Sequence, residues 1–348
     1  MTRPILTGAL ALAVILPAFV PAHAEDPFYK GKTVTIITST GAGGQYDTIA
    51  RAVARHMRTR LDGKPTMIVQ NMPGGGNVLA TNFMYNIAPK DGTTIATLHN
   101  AMPLHQVLDG RGVRFDARKF NWLDSTGPEN SAIFAWHTAG VKTYEDVTKK
   151  EITLGGTGAG SGIVIFPTVA NNLLGTRFKI VIGYKSSSEI NVAMERGEVA
   201  SRAFGLSSVF AEYRDRWVTP KKIVFLLQVG LKRDKRLPDV PLMQEVAKTD
   251  ENRAILKLIA APTALGKPYT APPGLPADRI KILRDAFAKT LADKVFNAEM
   301  TRLHIDMEPM TAEETIQVVL NTVNDPPAIV VKAKKILPKK GKKKNGKE

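Results

Sequence analysis

The chain has 348 residues, 43% of them hydrophobic, and no cysteine. That is enough for two domains with proper cores, and it excludes a disordered chain, disulfides, thiol nucleophiles and thiolate metal sites. The formal charge of +16 points toward nucleic acid only until it is located: the last 17 residues hold nine lysines against Glu348, Arg3 adds one charge at the other end, and the rest carries +7, a moderate excess that favours small anionic ligands.

In chain order, Arg3 precedes an apolar run from Ile5 to Val20 that finishes with the small-x-small triplet Ala22-His23-Ala24. This predicts a secretory signal peptide over 1–24, cleaved after Ala24. The alternative, an N-terminal membrane anchor, is disfavoured because the run is shorter than the roughly 20 residues a spanning helix needs. Export without cysteines suggests a soluble protein of the bacterial periplasm, held by core burial alone, and argues against DNA or RNA as a partner. Strands are expected at 32–39, 66–72 and 93–99, with helices at 46–61 and 77–87 between them. Such alternation means βαβ units and a mostly parallel sheet. A second series begins with a strand at 152–157 and continues through a helix at 163–174, a strand at 178–184, a helix at 189–196, and strands near 200–204 and 222–230. This is a second α/β lobe.

The remainder reads as helical: 251–261, then 272–291 with Pro276 and Asp278 as a start signal, then 311–323 with Thr311 and Glu314 at capping-box spacing. These helices need an apolar surface to cover, so the chain is expected to return to lobe one. The resulting division is 25–126 with 232–331 for lobe one, 127–231 for lobe two, and a solvated, disordered lysine tail over 332–348 with at most weak attraction to anionic lipid.

The motif Thr-Gly-Ala-Gly occurs twice, as Thr40-Gly41-Ala42-Gly43 after the first strand of lobe one and as Thr157-Gly158-Ala159-Gly160 after the first strand of lobe two. Each precedes a helix start, where free backbone N–H groups and the positive end of the dipole favour an anion. A third loop, Pro73-Gly74-Gly75-Gly76-Asn77, follows the second strand of lobe one. Three such loops at strand C-termini describe a cleft lined by main-chain donors, the region where open α/β sheets take ligands. None carries the lysine of a P-loop, and Tyr46 stands where a dinucleotide fingerprint needs a small residue. Donors without a permanent cation suit a carboxylate better than a polyphosphate. Gly44 and Ser161 complete the two duplicated loops. Asp47 is expected to cap N–H groups in its helix's first turn, ahead of direct ligand contact. Lys185 is a candidate counter-charge, and His99 and Asn100 are candidate polar contacts on the same rim; a solvated lysine and a satisfied turn histidine are the alternatives.

Catalytic signatures are weak. A nucleophile elbow centred on Ser161 needs glycines where Ala159 and Ile163 stand. His56, His99, His105, His137 and His304 show no metal-ligand spacing, and no carboxylate pair forms an acid/base couple. A binder with neither cofactor nor metal is expected.

The segments "GAGGQYDTIARAVARHM", "VQNMPGGGNVLATNFMYNIAPKDGT", "GYKSSSEINVAMERGEV" and "APPGLPADRIKILRDAF" occur in this order. Over about 28–337 the chain resembles the Bug family, the periplasmic solute-binding proteins of tripartite tricarboxylate transporters. The resemblance implies a type II periplasmic-binding-protein fold: two α/β lobes joined by two crossover strands around a ligand cleft, with C-terminal helices returning to lobe one. It also implies that backbone amides at Gly41 to Gly44 and Gly74 to Asn77 hold a ligand carboxylate, with Thr157 to Ser161 facing them. The sequence departs from the family where a proline commonly precedes the first glycines, here Ser39 and Thr40, and where Tyr-Lys-Gly is usual, here Tyr184-Lys185-Ser186. An early histidine of the second lobe's first helix has no counterpart near 163–166.

The expectation is therefore a monomeric periplasmic protein that captures a small organic acid and delivers it to inner-membrane permease subunits. An exported enzyme on the same fold, or a sensor presenting its liganded form to a receptor, are the rivals. Export predicts a mature chain beginning at Glu25, which N-terminal sequencing or intact mass of periplasmic material checks; a membrane-bound product retaining residues 1–24 would favour the anchor.

Overall fold

A computed structural model of the chain describes residues 26–157, 161–184, 186–324 and 326–337. Strand β1 (Thr33–Thr38) sends Val34 and Ile36 to one face of the first sheet, against Ile49 and Val53 of α1 (Gln45–Met57). Ile37 turns to the opposite face, against Val78 and Met84 of α2 (Val78–Asn86). β2 (Thr66–Asn71) and β3 (Thr94–Thr97) flank β1 in parallel, so the loops that leave all three strands emerge on one edge. Helix α3 (Met102–Leu108) then leads to β4 (Asn121–Ser125), which ends the first pass through this lobe.

The second sheet begins at β5 (Ser131–Trp136) and continues through α4 (Tyr144–Lys149), β6 (Ile152–Gly156), α5 (Gly162–Leu174), β7 (Phe178–Ile182), α6 (Ser187–Glu195), β8 (Ser201–Gly205), α7 (Leu206–Glu212) and β9 (Ile223–Val229). Its order is β7-β6-β8-β5-β9, with β6 parallel to β7 and β8. One face buries Ile133, Ala203 and Leu227, and the other buries Phe134, Leu206 and Trp217. After α8 (Asp250–Ala260) the chain re-enters the first sheet as β10 (Pro268–Ala271), antiparallel between β3 and β4, giving the order β2-β1-β3-β10-β4.

Three of the remaining helices return to the first sheet as expected. α9 (Ala277–Leu291) and α10 (Lys294–Arg302) bury Leu283, Phe287 and Phe296 with α1. α11 (Ala312–Val323), opened by the anticipated capping box of Thr311 and Glu314, covers the opposite face. Helix α8 instead packs Ile255, Leu256 and Ile259 against the second sheet's core, and α12 (Pro327–Ile336) joins it there.

Helix α12 corrects the expected tail. Lys332, Lys334 and Lys335 lie on a helix whose Ile329, Val330, Ala333 and Ile336 form an apolar stripe, with Ala333 completely buried. Lys332 pairs with Glu251. A run rich in lysine is ordered here because three- and four-residue spacing collects its few apolar side chains on one face. Residues 338–348 and the anticipated signal peptide lie outside the described residues.

Two short segments connect the lobes, 126–130 between β4 and β5 and the stretch ahead of β10. They meet closely. Glu129 N–H donates to Thr263 O at 2.8 Å, and Lys267 N–H donates to Thr126 Oγ1 at 3.0 Å. A Cβ on Gly266 would stand 1.7 Å from Gly127 O, and one on Gly127 would stand 1.8 Å from Glu308 O; both have positive φ. No other residue fits either position.

Truncation after Leu337 is expected to leave the melting temperature unchanged within about 1 °C. Truncation after Val331 strips Ala333, Ile336 and Leu337 from the core and should lower it by several degrees, roughly 1–3 kcal/mol of lost burial. Calorimetry of the two truncated proteins checks this.

Candidate functional site

The first glycine loop leaves β1 through the buried Thr38 and Ser39 and exposes Gly41, Ala42, Gly43 and Gly44 before entering α1. Gly44 is the N-cap residue, and no side chain caps this helix. Backbone N–H groups of its first turn therefore open toward the exposed loop.

Asp47 lies in that turn, buried, at the centre of a dense network. It accepts the Gly43 N–H at 3.0 Å, Arg51 Nε and Nη2 at 3.0 and 2.9 Å, and Asn71 Nδ2 at 3.0 Å. Asn71 Nδ2 also lies 3.1 Å from Thr40 O, so the exit of β2 is tied to the loop leaving β1. Burial acts to raise the Asp47 pKa, but the bonds from Arg51, Gly43 and Asn71 outweigh it and hold the carboxyl below its usual value. Asp47 thus supports the loop from behind, and it occupies the Gly43 N–H that sequence reasoning offered to a ligand. Beyond Asn71, Gly74, Gly75, Gly76 and Asn77 all adopt positive φ, a sharp turn that delivers the chain into α2.

At the end of β3, His99 N–H donates to Ser39 Oγ at 2.9 Å, and His99 Nδ1 accepts the Ala101 N–H at 3.2 Å. Its ring stacks on Tyr46 with centroids 5.5 Å apart. Burial drives the imidazole pKa down to about 4, against the pull of Glu129 and aided by the charge of Lys267. His99 is therefore neutral near pH 7 and carries its proton on Nε2. The Asn100 N–H donates to Tyr46 Oη at 3.2 Å, and Tyr46 Oη donates to Gly266 O at the same distance. One aromatic ring thus joins β3's exit to the connection between lobes.

Behind Tyr46 lies a group without local sequence signature. Lys267 Nζ forms a buried ion pair with Glu129 and stands 5.6 Å from the Tyr46 ring centre. Glu129 also contacts Ser207 Oγ, which lies 2.9 Å from Gln45 Oε1. A hydroxyl has one hydrogen to give, so with the Gln45 amide turned over its Nε2, otherwise without a partner, donates to Ser207 and Ser207 donates to Glu129. Burial would raise the Glu129 pKa, but Lys267 and Ser207 hold it below the usual range. Ser207 belongs to α7, just beyond β8, and Gln45 opens α1, so the carboxyl edges of the two sheets face each other here.

The second duplicated loop leaves β6 at Gly156, and Thr157 Oγ1 donates to Ser161 Oγ at 3.0 Å. Gly158, Ala159, Gly160 and Lys185 lie outside the described residues. Gly41 to Gly44, Asp47, His99 and Asn100 are gathered on one rim; Gly74 to Asn77 leave the neighbouring strand; Thr157 and Ser161 belong to the other sheet. Two surface hollows lie away from these loops, one between α9 and the start of α11 and one along Arg51–Arg58 and β2. Among the described residues no cluster of histidines and carboxylates has the geometry to hold a metal.

Replacing Asp47 by alanine leaves the Gly43 N–H, Arg51 and Asn71 without their acceptor. We expect a loss of about 1–3 kcal/mol at neutral pH. Because the folded pKa is depressed, this stabilisation is fully present above the unfolded value near 3.9 and disappears as pH falls through the folded one. Denaturation of both proteins across pH 2–7 should show the gap closing only at the acid end.

Over residues 49–335 the sequence matches the profile of the tripartite tricarboxylate transporter family receptor. It is 27% identical over 335 residues to a UPF0065 protein in the gbd 5′ region of Cupriavidus necator, covering 94% of this chain and 93% of the relative. The fold is similar to that of the periplasmic binding protein BugD, with a TM-score of 0.66, 22% identity, and 88% and 98% of the two chains covered. An R. palustris protein solved with adipate gives a TM-score of 0.65 at 17% identity, with 88% and 97% covered. The two sheets, with helices on both faces of each, are the two-lobed fold of these binding proteins. The chain belongs to the tripartite tricarboxylate transporter receptor family of solute-binding proteins.

Proposed function

We propose that this protein captures a small organic carboxylate in the periplasm, in the cleft between its lobes, and delivers it to the membrane subunits of a tripartite tricarboxylate transporter. The observation that carries the reading is the uncapped N-terminus of α1 behind an exposed glycine loop, on a rim where His99 is neutral and Asp47 is fully engaged. Such a rim offers main-chain donors and a helix dipole without a fixed cation, which suits reversible capture of a carboxylate. Family membership and the relative solved with adipate support the same ligand class. Among the described residues no helix is long and apolar enough to cross a membrane.

In this reading the acid bridges the rim at Gly41 to Gly44 and Gly74 to Asn77 and the facing loop at Thr157 to Ser161. Closure is favoured because only the closed form brings both sets of donors to one ligand. The family consists of binding proteins, and we assign no catalytic step.

A thermal-shift screen of organic acids tests this. A true ligand at one hundred times its dissociation constant should stabilise the protein by about 2.7 kcal/mol, several degrees in melting temperature. Gly43 has a φ of +83°, with open space where its Cβ would stand. Gly43→Leu should therefore strain the loop and obstruct the rim, abolishing most of the shift while the unliganded protein still folds. Gly158→Leu should do the same from the other lobe; normal binding by that variant would confine the ligand to lobe one.

A further inference from the structure

Arg202, the second residue of β8, is completely buried. Its layer of the second lobe contains Phe134, Met194, Leu206 and Trp217, and its guanidinium carbon stands 3.9 Å from the centre of the Phe204 ring. Nη1 donates to Ser187 O at 2.9 Å, Nε makes a long contact of 3.4 Å with Ala203 O, and Nη2 has no partner. Among the described residues no carboxylate lies within ion-pair distance. Glu212 and Tyr213 act on it only from further away, and Glu195, on the same layer, is taken by Arg216 and the Trp217 indole N–H. Arg236, by contrast, has both Asp234 and Asp306. Burial alone pushes the Arg202 pKa down to about 9, a measure of how poorly the charge is accommodated.

The guanidinium touches a particular place. Ser187 is the first residue of α6, a nine-residue helix whose N-cap Ser186 uses its side chain on the Glu189 N–H at 3.2 Å. The N–H groups of Ser187 and Ser188 remain at the open end of this helix. That end follows β7 on the sheet edge that also carries Thr157: Gly183 N–H donates to Gly156 O at 3.2 Å. Nη2 shares the plane of Nη1 and so lies against the same turn. Asn191 Oδ1, one turn along α6, is also without a partner. A hydrogen bond between the two would satisfy both atoms but leave the charge uncompensated.

Resting on the carboxylate-binding reading above, we propose that the first turn of α6, with Arg202 beneath it, is an anion subsite of the second lobe. It receives a second carboxylate of the bound acid, so that the protein selects dicarboxylates over monocarboxylates of the same length. The ligand's anion meets the Ser187 and Ser188 N–H groups, and Arg202 backs them with a fixed positive charge shielded from solvent. Arg202 is a positioning and electrostatic residue in this arrangement, whereas the helix end makes the contact.

The test compares succinate with butyrate and adipate with hexanoate by titration calorimetry, on wild type and two variants. Arg202→Met keeps the length and removes the charge. Ser187→Pro deletes one N–H at a position where proline suits a helix and follows the extended backbone of Ser186. In wild type the better-fitting dicarboxylate should bind about tenfold or more tighter than its monocarboxylate, as expected for charge-assisted bonds. Each variant should reduce that ratio to within about twofold while changing monocarboxylate affinity little. A wild type without preference, or a preference unchanged in both variants, overturns the subsite and leaves the carboxylate reading standing. If none of the four acids nor a wider acid panel binds wild type, the carboxylate reading itself fails and the subsite with it. Should Arg202→Met not fold, Ser187→Pro decides alone, and an unchanged preference in it overturns the proposal.

Discussion

The contact between Glu129 and Lys267 organises the centre of the molecule. Each residue lies on one of the two segments joining the lobes, and the pair is largely removed from solvent. Removing one partner of such a pair typically costs about 3–5 kcal/mol, because the other is left as an uncompensated buried charge. Gly127 and Gly266 let the two segments approach within backbone contact, and Glu129 then reaches the start of α7 through Ser207 and, through it, Gln45 of α1. The relative placement of the two carboxyl edges follows from this junction. An interlobe hinge built from charge pairing and glycine contact can bend while keeping its register, which a continuous apolar interface would resist.

The junction also determines the electrostatics of the rim. Lys267 is neutralised by Glu129, and the burial that encloses them keeps His99 uncharged. Asp47 is balanced by Arg51. The rim of the first lobe is therefore furnished with helix-end and loop donors rather than with a net side-chain charge. Affinity from such donors is directional and moderate, as suits a protein that must release what it captures. In the second lobe the balance differs, since Arg202 is a charge without a near counter-ion. The two lobes thus offer an acid unlike surfaces, one neutral and one positive.

Much of this was legible in the sequence. The alternating βα pattern of both lobes, the glycine loops at strand exits and the capping box at Thr311 rest on local chemistry, and local chemistry survives folding. The strands at the lobe junction were not foreseen. β5 reads "SAIFAW", apolar on both faces, so it lacks alternation; β10 is four residues opening with proline, and its strand character comes from the neighbours that pair with it. Glu129 and Lys267 are 138 residues apart, and nothing near either announces the other. Asp47 was read as a helix cap, but it holds the loop before the helix, because Arg51 and Asn71 anchor it from positions that spacing on one helix does not reveal. The lysine-rich end was read as a tail because charge count obscured a stripe of Ile329, Ala333 and Ile336.

The central claim is that an organic acid binds between the facing carboxyl edges of the two sheets. Amide hydrogen exchange with and without a stabilising acid tests it most directly, since exchange locates protection along the chain. The account predicts slowed exchange in 40–47, 73–78 and 157–163 together, drawn from both lobes. Protection confined to the hollow between α9 and the start of α11, with the glycine loops unchanged, would contradict it.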